Sequence, residues 1–149
     1  MAINKDNLIN KFGIHIKVSD LDASYDFYRK LGFKETFAYG NKHFLSKLDK
    51  SIPTAPEKYR GVVFEIGNSL FEIADGHLAV KPEVFKQKIK CSKVSAMLHV
   101  DSLSEVLQRC KKHKIDVAVP PRKFPWGTRE IVIKDPDGFV LVFIEKLKS

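Results

Sequence analysis

The chain contains an internal repeat, and this repeat limits the folds open to it more than any single motif does. In residues 14–21 a run of alternating apolar and polar side chains leads to Asp20 and then into an amphipathic segment. Residues 96–103 follow the same plan, with Asp101 in the place of Asp20. Two copies of one unit in 149 residues predict two modules that face each other across a pseudo-twofold axis.

Each copy of the repeat has the pattern β-α-β-β-β. The first predicts a strand over 12–19, an amphipathic helix that ends at Gly32, and strands over 33–39, 61–66 and 69–74. The second predicts strands over 94–100, 115–119, 129–134 and 139–144, with a helix after the first and with Pro120 and Pro121 ending the second. Since parallel βαβ alternation is absent, we expect an α+β fold of paired, curved antiparallel sheets around a central cleft.

The length and composition fit one soluble domain. We expect residues 1–149 to form it, with modules over about 10–80 and 93–147 and a connector over 81–92. No apolar run approaches the roughly 20 residues of a membrane-spanning helix, and the first residues lack the apolar core of a secretion signal. Cys91 and Cys110 are isolated in the sequence, as is usual for reduced thiols. These features predict a cytoplasmic protein.

The net charge of +8 has two readings. Lysines and arginines concentrate in residues 86–90 and 109–114, and such clusters can neutralise the phosphates of a nucleic acid. No aromatic stacking run or groove-reading motif accompanies them, so solvated helix ends are the favoured interpretation. A weaker hypothesis keeps a nucleic-acid or protein partner for this basic face. The positive potential would also attract a small acidic molecule.

Two segments carry a resemblance to a known family. Residues 18–28 followed by 31–33 form the first, and residues 125–130 leading to 135–138 form the second. In this order and spacing they resemble the vicinal oxygen chelate superfamily, which includes glyoxalase I, extradiol dioxygenases and bleomycin-resistance proteins. The resemblance covers residues 12–146 and is closest to the bleomycin-resistance branch. It implies the paired-module fold, a small-molecule ligand and a homodimer.

The resemblance also implies where a divalent metal would be bound. Enzymes of the superfamily take four ligands from the first and last strands of the two modules, and these positions fall here on Gly13, Glu72, Ser95 and Val142. Glu72 is the only good ligand among them, so we expect neither the usual metal nor another cofactor. A shifted set of His15, Glu72 and His99 is the alternative, since these side chains suit zinc or iron.

Six residues are candidates for binding a ligand in the cleft. Strand alternation places the first-strand residues on one face, the tryptophan is in a loop where it can stack on a flat molecule, and the basic residues can anchor an acid. The six are His15, Lys17, Glu72, His99, Trp126 and Arg129. They predict a protein that binds or sequesters a small flat or acidic molecule, as antibiotic-resistance members do. Whether it is an enzyme stays open: the alternative is a glyoxalase-like lyase or isomerase, or a dioxygenase-type enzyme.

Overall fold

The computed structural model describes residues 8–76 and 80–148. Nine strands and four helices lie within these ranges. In chain order they are β1 Phe12–Lys17, α1 Leu21–Lys30, β2 Glu35–Gly40, α2 Lys42–Leu45, β3 Thr54–Pro56, β4 Gly61–Ile66, β5 Ser69–Ala74, α3 Pro82–Phe85, β6 Ser95–His99, α4 Leu103–His113, β7 Val119–Phe124, β8 Thr128–Lys134 and β9 Val140–Lys146.

The strands form two sheets that repeat one topology. One sheet has the order β1-β5-β4-β2-β3 and the other the order β6-β9-β8-β7. In each, the first strand of the module pairs with the last, as the sequence repeat requires. The α+β class and the two-sheet architecture are therefore confirmed. The antiparallel expectation needs a correction, because β1 pairs with β5 and β6 with β9 in parallel, while β4–β5 and β8–β9 are antiparallel.

The chain divides into two compact units, and one element does not follow the sequence repeat. Most of helix α1, Asp22–Gly32, groups with the unit of the second sheet and the chain from Lys86 onward, whereas Phe33–Phe85 and the chain up to Leu21 form the other unit. A buried hydrogen bond within the second unit fixes α1 there: the Tyr28 hydroxyl donates to Asp135 Oδ2 at 2.8 Å.

Alternation of side chains builds the core of each sheet. In the first sheet one face buries Val62, Phe64, Phe71 and Ile73. In the second sheet the buried face carries Leu98, Ile131, Ile133, Leu141 and Phe143. Helix α4 places its predicted apolar stripe, including Leu103, Val106 and Cys110, in the core of the second unit.

One local prediction was wrong, and two short elements were not predicted. Pro120 and Pro121 do not end a strand but lie within β7, which is an edge strand whose outer side requires no N–H donor. The connector over 81–92 contains the short helix α3. Strand β3, which the sequence did not predict, adds an edge strand to the first sheet. Within the described ranges, no helix is long and apolar enough to cross a membrane.

Candidate functional site

The first sheet has one face that is not filled by the core. The register pairs His15 with Glu72 and Glu72 with Val63, so these side chains point to the same side. We call this side the open face and define it by His15, Lys17, Tyr39, Leu70 and Glu72. All five are half-buried, as are Ile14 and Ile16 on the opposite side of β1, whereas Phe71 and Ile73 on the opposite side of β5 are buried.

A polar cluster of three side chains lies on the open face. His15 Nε2 is 3.0 Å from Glu72 Oε2, and both side chains are 26% exposed. The Tyr39 hydroxyl donates a hydrogen bond of 3.0 Å to the same oxygen. The Tyr39 ring also lies 6.2 Å from that of Phe37, two residues earlier on β2. The cluster therefore combines a carboxylate, an imidazole and a phenol beside an aromatic surface.

Burial and the neighbouring carboxylate hold Tyr39 in its neutral form. Burial raises the pKa of this phenol most, and the negative charge of Glu72 and the hydrogen bond to it raise the pKa further. Tyr39 is therefore a stable hydrogen-bond donor near neutral pH. Gly61 leaves room for the Tyr39 ring, because any side chain at position 61 would collide with that ring.

Lys17 lies on the same face, two residues along β1 from His15. Its Nζ donates to the His15 carbonyl oxygen at 3.3 Å. Among the described residues, no carboxylate lies within ion-pair distance of this ammonium group. The group thus has one backbone acceptor and retains donors for an anion.

In the second sheet, the sequence candidates lie apart from one another on two faces. Strand pairing places His99 on the same side as the exposed Met97, across from Ile144 and Val142. Arg129 is opposite Glu145 in the β8–β9 pairing and lies 3.4 Å from it, on the face that carries the buried core. The structure therefore does not bring Arg129 to the side on which His99 lies.

Glu145 links Arg129 to helix α4. Its other carboxylate oxygen accepts a hydrogen bond of 3.1 Å from the Leu103 backbone N–H in the first turn of the helix. Negative charge at a helix N-terminus is favourable because it faces unpaired N–H groups. This arrangement gives Arg129 a structural partner.

Trp126 lies in the turn between β7 and β8 and is 67% exposed. Its ring stacks on Phe124 with centroids 4.6 Å apart, and its Nε1 donates to Glu130 Oε2 at 3.3 Å. The Arg122 guanidinium lies 4.9 Å above the other aromatic ring of the pair, that of Phe124. The exposure shows that the indole is not part of the core. One face of the ring stacks on Phe124, and the other remains available for stacking on a ligand.

Two equivalent backbone hydrogen bonds show which residues of the two repeats correspond. The N–H of Val18 donates to Ala74 in the first sheet, and that of Val100 donates to Ile144 in the second, both at 2.9 Å. With these pairs aligned, His15 corresponds to Met97, Lys17 to His99 and Glu72 to Val142. His99 therefore occupies the place of Lys17 rather than that of His15.

The usual metal of the family does not fit these residues. Gly13 and Val142 offer no coordinating atom, and the Glu72 carboxylate already contacts His15 and Tyr39. Within residues 8–76 and 80–148, no three His, Cys, Asp or Glu side chains form a group that could hold a metal ion. Of the shifted set, the structure brings His15 and Glu72 together.

Tyr39 is the member of the cluster that the sequence did not reveal. The prediction placed it at the end of a strand, but strand alternation alone does not give the register between strands. The signal that could have found it is Gly61, a glycine at the start of a strand of large apolar residues, which indicates close approach of another group.

Comparisons with solved structures agree with this fold. The fosfomycin resistance protein FosX from Listeria monocytogenes is 16% identical, with 94% of each chain covered and a TM-score of 0.60. Glyoxalase I from Zea mays is 17% identical, with 91% of this chain and 45% of that chain covered and a TM-score of 0.65. A bleomycin-binding protein complexed with bleomycin is 21% identical, with 93% and 98% covered and a TM-score of 0.54. At these identities the similarity concerns the fold.

The sequence comparisons give the family. No curated protein sequence matches the chain. The family model described as Glyoxalase/Bleomycin resistance protein/Dioxygenase superfamily matches residues 9–143, which is most of the chain. The chain therefore belongs to the Glyoxalase/Bleomycin resistance protein/Dioxygenase superfamily.

Proposed function

We propose that the protein binds a small organic molecule on the open face of its first sheet, without the usual metal of the family. The observation that carries this proposal is the cluster of His15, Tyr39 and Glu72. A charged and hydrogen-bonded group that is half-buried beside an aromatic side chain is the composition of a small-molecule site.

The state of the cluster favours binding over proton transfer. A general acid works best when its pKa lies near the working pH, and the raised pKa of Tyr39 moves its phenol away from that range. Its proton is instead used to fix the orientation of Glu72. A fixed, partly desolvated carboxylate provides recognition at low entropic cost.

The comparisons support ligands of the antibiotic-resistance type. One similar structure is a bleomycin-binding protein with bleomycin bound, and another is a fosfomycin resistance protein. Bleomycin and fosfomycin are therefore the first compounds to test, together with small flat or acidic molecules. His99 and Trp126 remain predicted ligand contacts, since both lie on the exposed side or in an exposed turn of the second sheet.

A thermal-shift screen with calorimetric titration of each hit tests the proposal. Ligand binding to the native state raises the melting temperature, and we expect at least one compound to do so. Glu72→Gln should abolish or weaken that shift. Asp26→Asn is the matched control, because Asp26 lies on helix α1 rather than on the open face and pairs with Lys30 at 2.6 Å.

Two results would contradict the proposal. One is near-stoichiometric zinc, nickel, manganese or iron in untagged protein, which would indicate a metal site. The other is turnover of the methylglyoxal–glutathione adduct, which would favour the glyoxalase-like alternative. The homodimer and the cytoplasmic location stay predictions, and light scattering of the purified protein measures the first.

A further inference from the structure

Two charged groups of the open face keep unused hydrogen-bonding capacity in the described part of the chain: Glu72 at Oε1, beside its contacts with His15 and Tyr39, and Lys17 at its ammonium group. Building on the function proposed above, we infer that the ligand is a small zwitterion: a cationic N–H donor for Glu72 joined to a carboxylate or similar anion for Lys17. The evidence is the hydrogen-bond inventory of the two side chains and their spacing on β1 and β5.

Glu72 has one oxygen that is occupied and one that is not. Both His15 Nε2 and the Tyr39 hydroxyl contact Oε2, each at 3.0 Å. None of the described residues provides a partner for Oε1. The two contacts fix the carboxylate, and Oε1 is left as an acceptor on a side chain that is only 26% exposed.

Partial burial makes this acceptor selective for cations. A carboxylate that has lost much of its water gains most from a charged donor, because the hydrogen bond is then charge-assisted. Tyr39 donates to Oε2 as a neutral phenol, so it adds no positive charge to the carboxylate and leaves Oε1 to a ligand. An ammonium or amidinium group of the ligand would donate to Oε1.

Lys17 supplies the second contact. It follows His15 by two positions on β1, so its backbone is displaced by about 6.6 Å along the strand on the same face. Its ammonium group contacts only a carbonyl oxygen among the described residues. An anion there would complete the pairing of charges, and the two sites together require a ligand with both charges separated by a short spacer.

The test compares a probe that carries both charges with two probes that each lack one of them. The probes are 4-(aminomethyl)benzoate, which carries both charges, 4-methylbenzoate, which carries the anion, and benzylamine, which carries the cation. Dissociation constants are measured for the full chain by calorimetry, with NMR shifts of the His15 imidazole to locate binding. We expect the zwitterion to bind about tenfold more tightly than either single-charge probe.

Two substitutions test the two charged contacts one at a time. Glu72→Gln should remove the advantage of the zwitterion over 4-methylbenzoate, and Lys17→Met should remove its advantage over benzylamine. Asp26→Asn and Lys30→Met are the matched controls, since they neutralise an ion pair of helix α1 that is not part of the open face. Circular dichroism of each variant confirms that it folds.

The outcomes distinguish the inference from the proposed function. If the zwitterion binds no better than 4-methylbenzoate, or if Glu72→Gln weakens all three probes equally, the zwitterion inference is wrong while small-molecule binding stands. If none of the probes shifts His15 but a screened compound does, the inference is likewise wrong. The proposed function itself fails if neither the screened compounds nor the probes bind at His15.

Discussion

The chain uses a tyrosine–carboxylate pair twice, and the two pairs differ in what surrounds the acid. In the second unit Tyr28 donates to Asp135 at 2.8 Å, and the other oxygen of Asp135 accepts the N–H groups of Asp137 and Phe139. In the first unit Tyr39 donates to Glu72 at 3.0 Å. Asp135 is 5% exposed, whereas the Glu72 side chain is 26% exposed.

The difference shows how one chemical pair can serve structure or binding. Both oxygens of Asp135 are used within the fold, so its role is to close the turn before β9 and to hold α1 through Tyr28. One oxygen of Glu72 is left over at a half-buried position, where an outside donor can reach it. Burial raises the pKa of Asp135, which reflects how completely the acid is removed from water.

The two sheet faces differ in the same way. Where the first sheet has His15 and Glu72, the second has Met97 and Val142, although the strand order is the same. The positions of His15 and Glu72 therefore carry polar side chains on one copy of the repeat and apolar side chains on the other. Four experiments test this contrast, in order of decreasing effect.

Asp135→Ala should cause the largest effect. The substitution leaves the Tyr28 hydroxyl and two buried N–H groups without an acceptor, so we expect a loss of roughly 3 kcal/mol or more in the free energy of unfolding. Urea denaturation measures it, with Glu72→Ala as the counterpart. An equal loss from both substitutions would remove the distinction between a structural and a binding acid.

The next largest effect should be a difference in stability between the two Tyr→Phe variants. Tyr28→Phe leaves one oxygen of a buried acid unpaired and should cost about 1–3 kcal/mol of stability. Tyr39→Phe should cost less than about 1 kcal/mol, because water can reach the half-buried Glu72. The shift in the denaturation midpoint gives both values when the dependence of the free energy on denaturant is unchanged. A larger loss for Tyr39→Phe would reverse the assignment of Asp135 to structure and Glu72 to binding.

Glu72→Val copies the second sheet onto the first. Valine is a good strand residue, so folding should persist, while ligand binding should weaken at least tenfold, or about 1.4 kcal/mol. Titration with the best compound of the screen measures the change. Unchanged affinity with Val at position 72 would place the ligand elsewhere.

The smallest effect is the response to alkaline pH. Because the native pKa values of Tyr28 and Tyr39 are raised above 10.0, the native state keeps protons that the unfolded state releases. Their contribution to stability is complete well below pH 10 and is lost as the pH rises. At about pH 10 the buried Tyr28 should lower the free energy of unfolding by about 0.4 kcal/mol, and the more exposed Tyr39 by less; both losses grow above that pH.

Unfolding of wild type and of each Tyr→Phe variant across this pH range tests the expectation. Both variants should lose less stability with rising pH than the wild type, since each lacks one phenol. If the pH slope of Tyr28→Phe equals that of the wild type, the phenol of Tyr28 is not held protonated by the fold.

Much of the architecture could be predicted from the sequence because its causes are local or periodic. The repeat predicted the two β-α-β-β-β modules, and the bounds of β4 and β5 agree with the predicted strands residue for residue. Gly32 ends the first helix with a positive φ of 95°, a conformation that favours glycine. The family resemblance followed from the same segments and is confirmed by the family model.

The edge strand β7 shows a feature that local sequence rules could not predict. Two prolines predicted a strand end, yet a proline is acceptable wherever its missing N–H faces away from the neighbouring strand. Whether a strand lies at an edge is a property of the sheet order. No window of the sequence contains that information.

The sequence by itself determined the repeat and the two faces of each strand. It also determined that three of the four metal-ligand positions of the family carry no good ligand, since all these features depend on residue types and alternation. Only the tertiary structure decided that His15 meets Glu72, that Tyr39 joins them over Gly61, and that Arg129 faces the core. The physical reason is register: a shift of one residue between paired strands would turn every one of these side chains to the other face of the sheet.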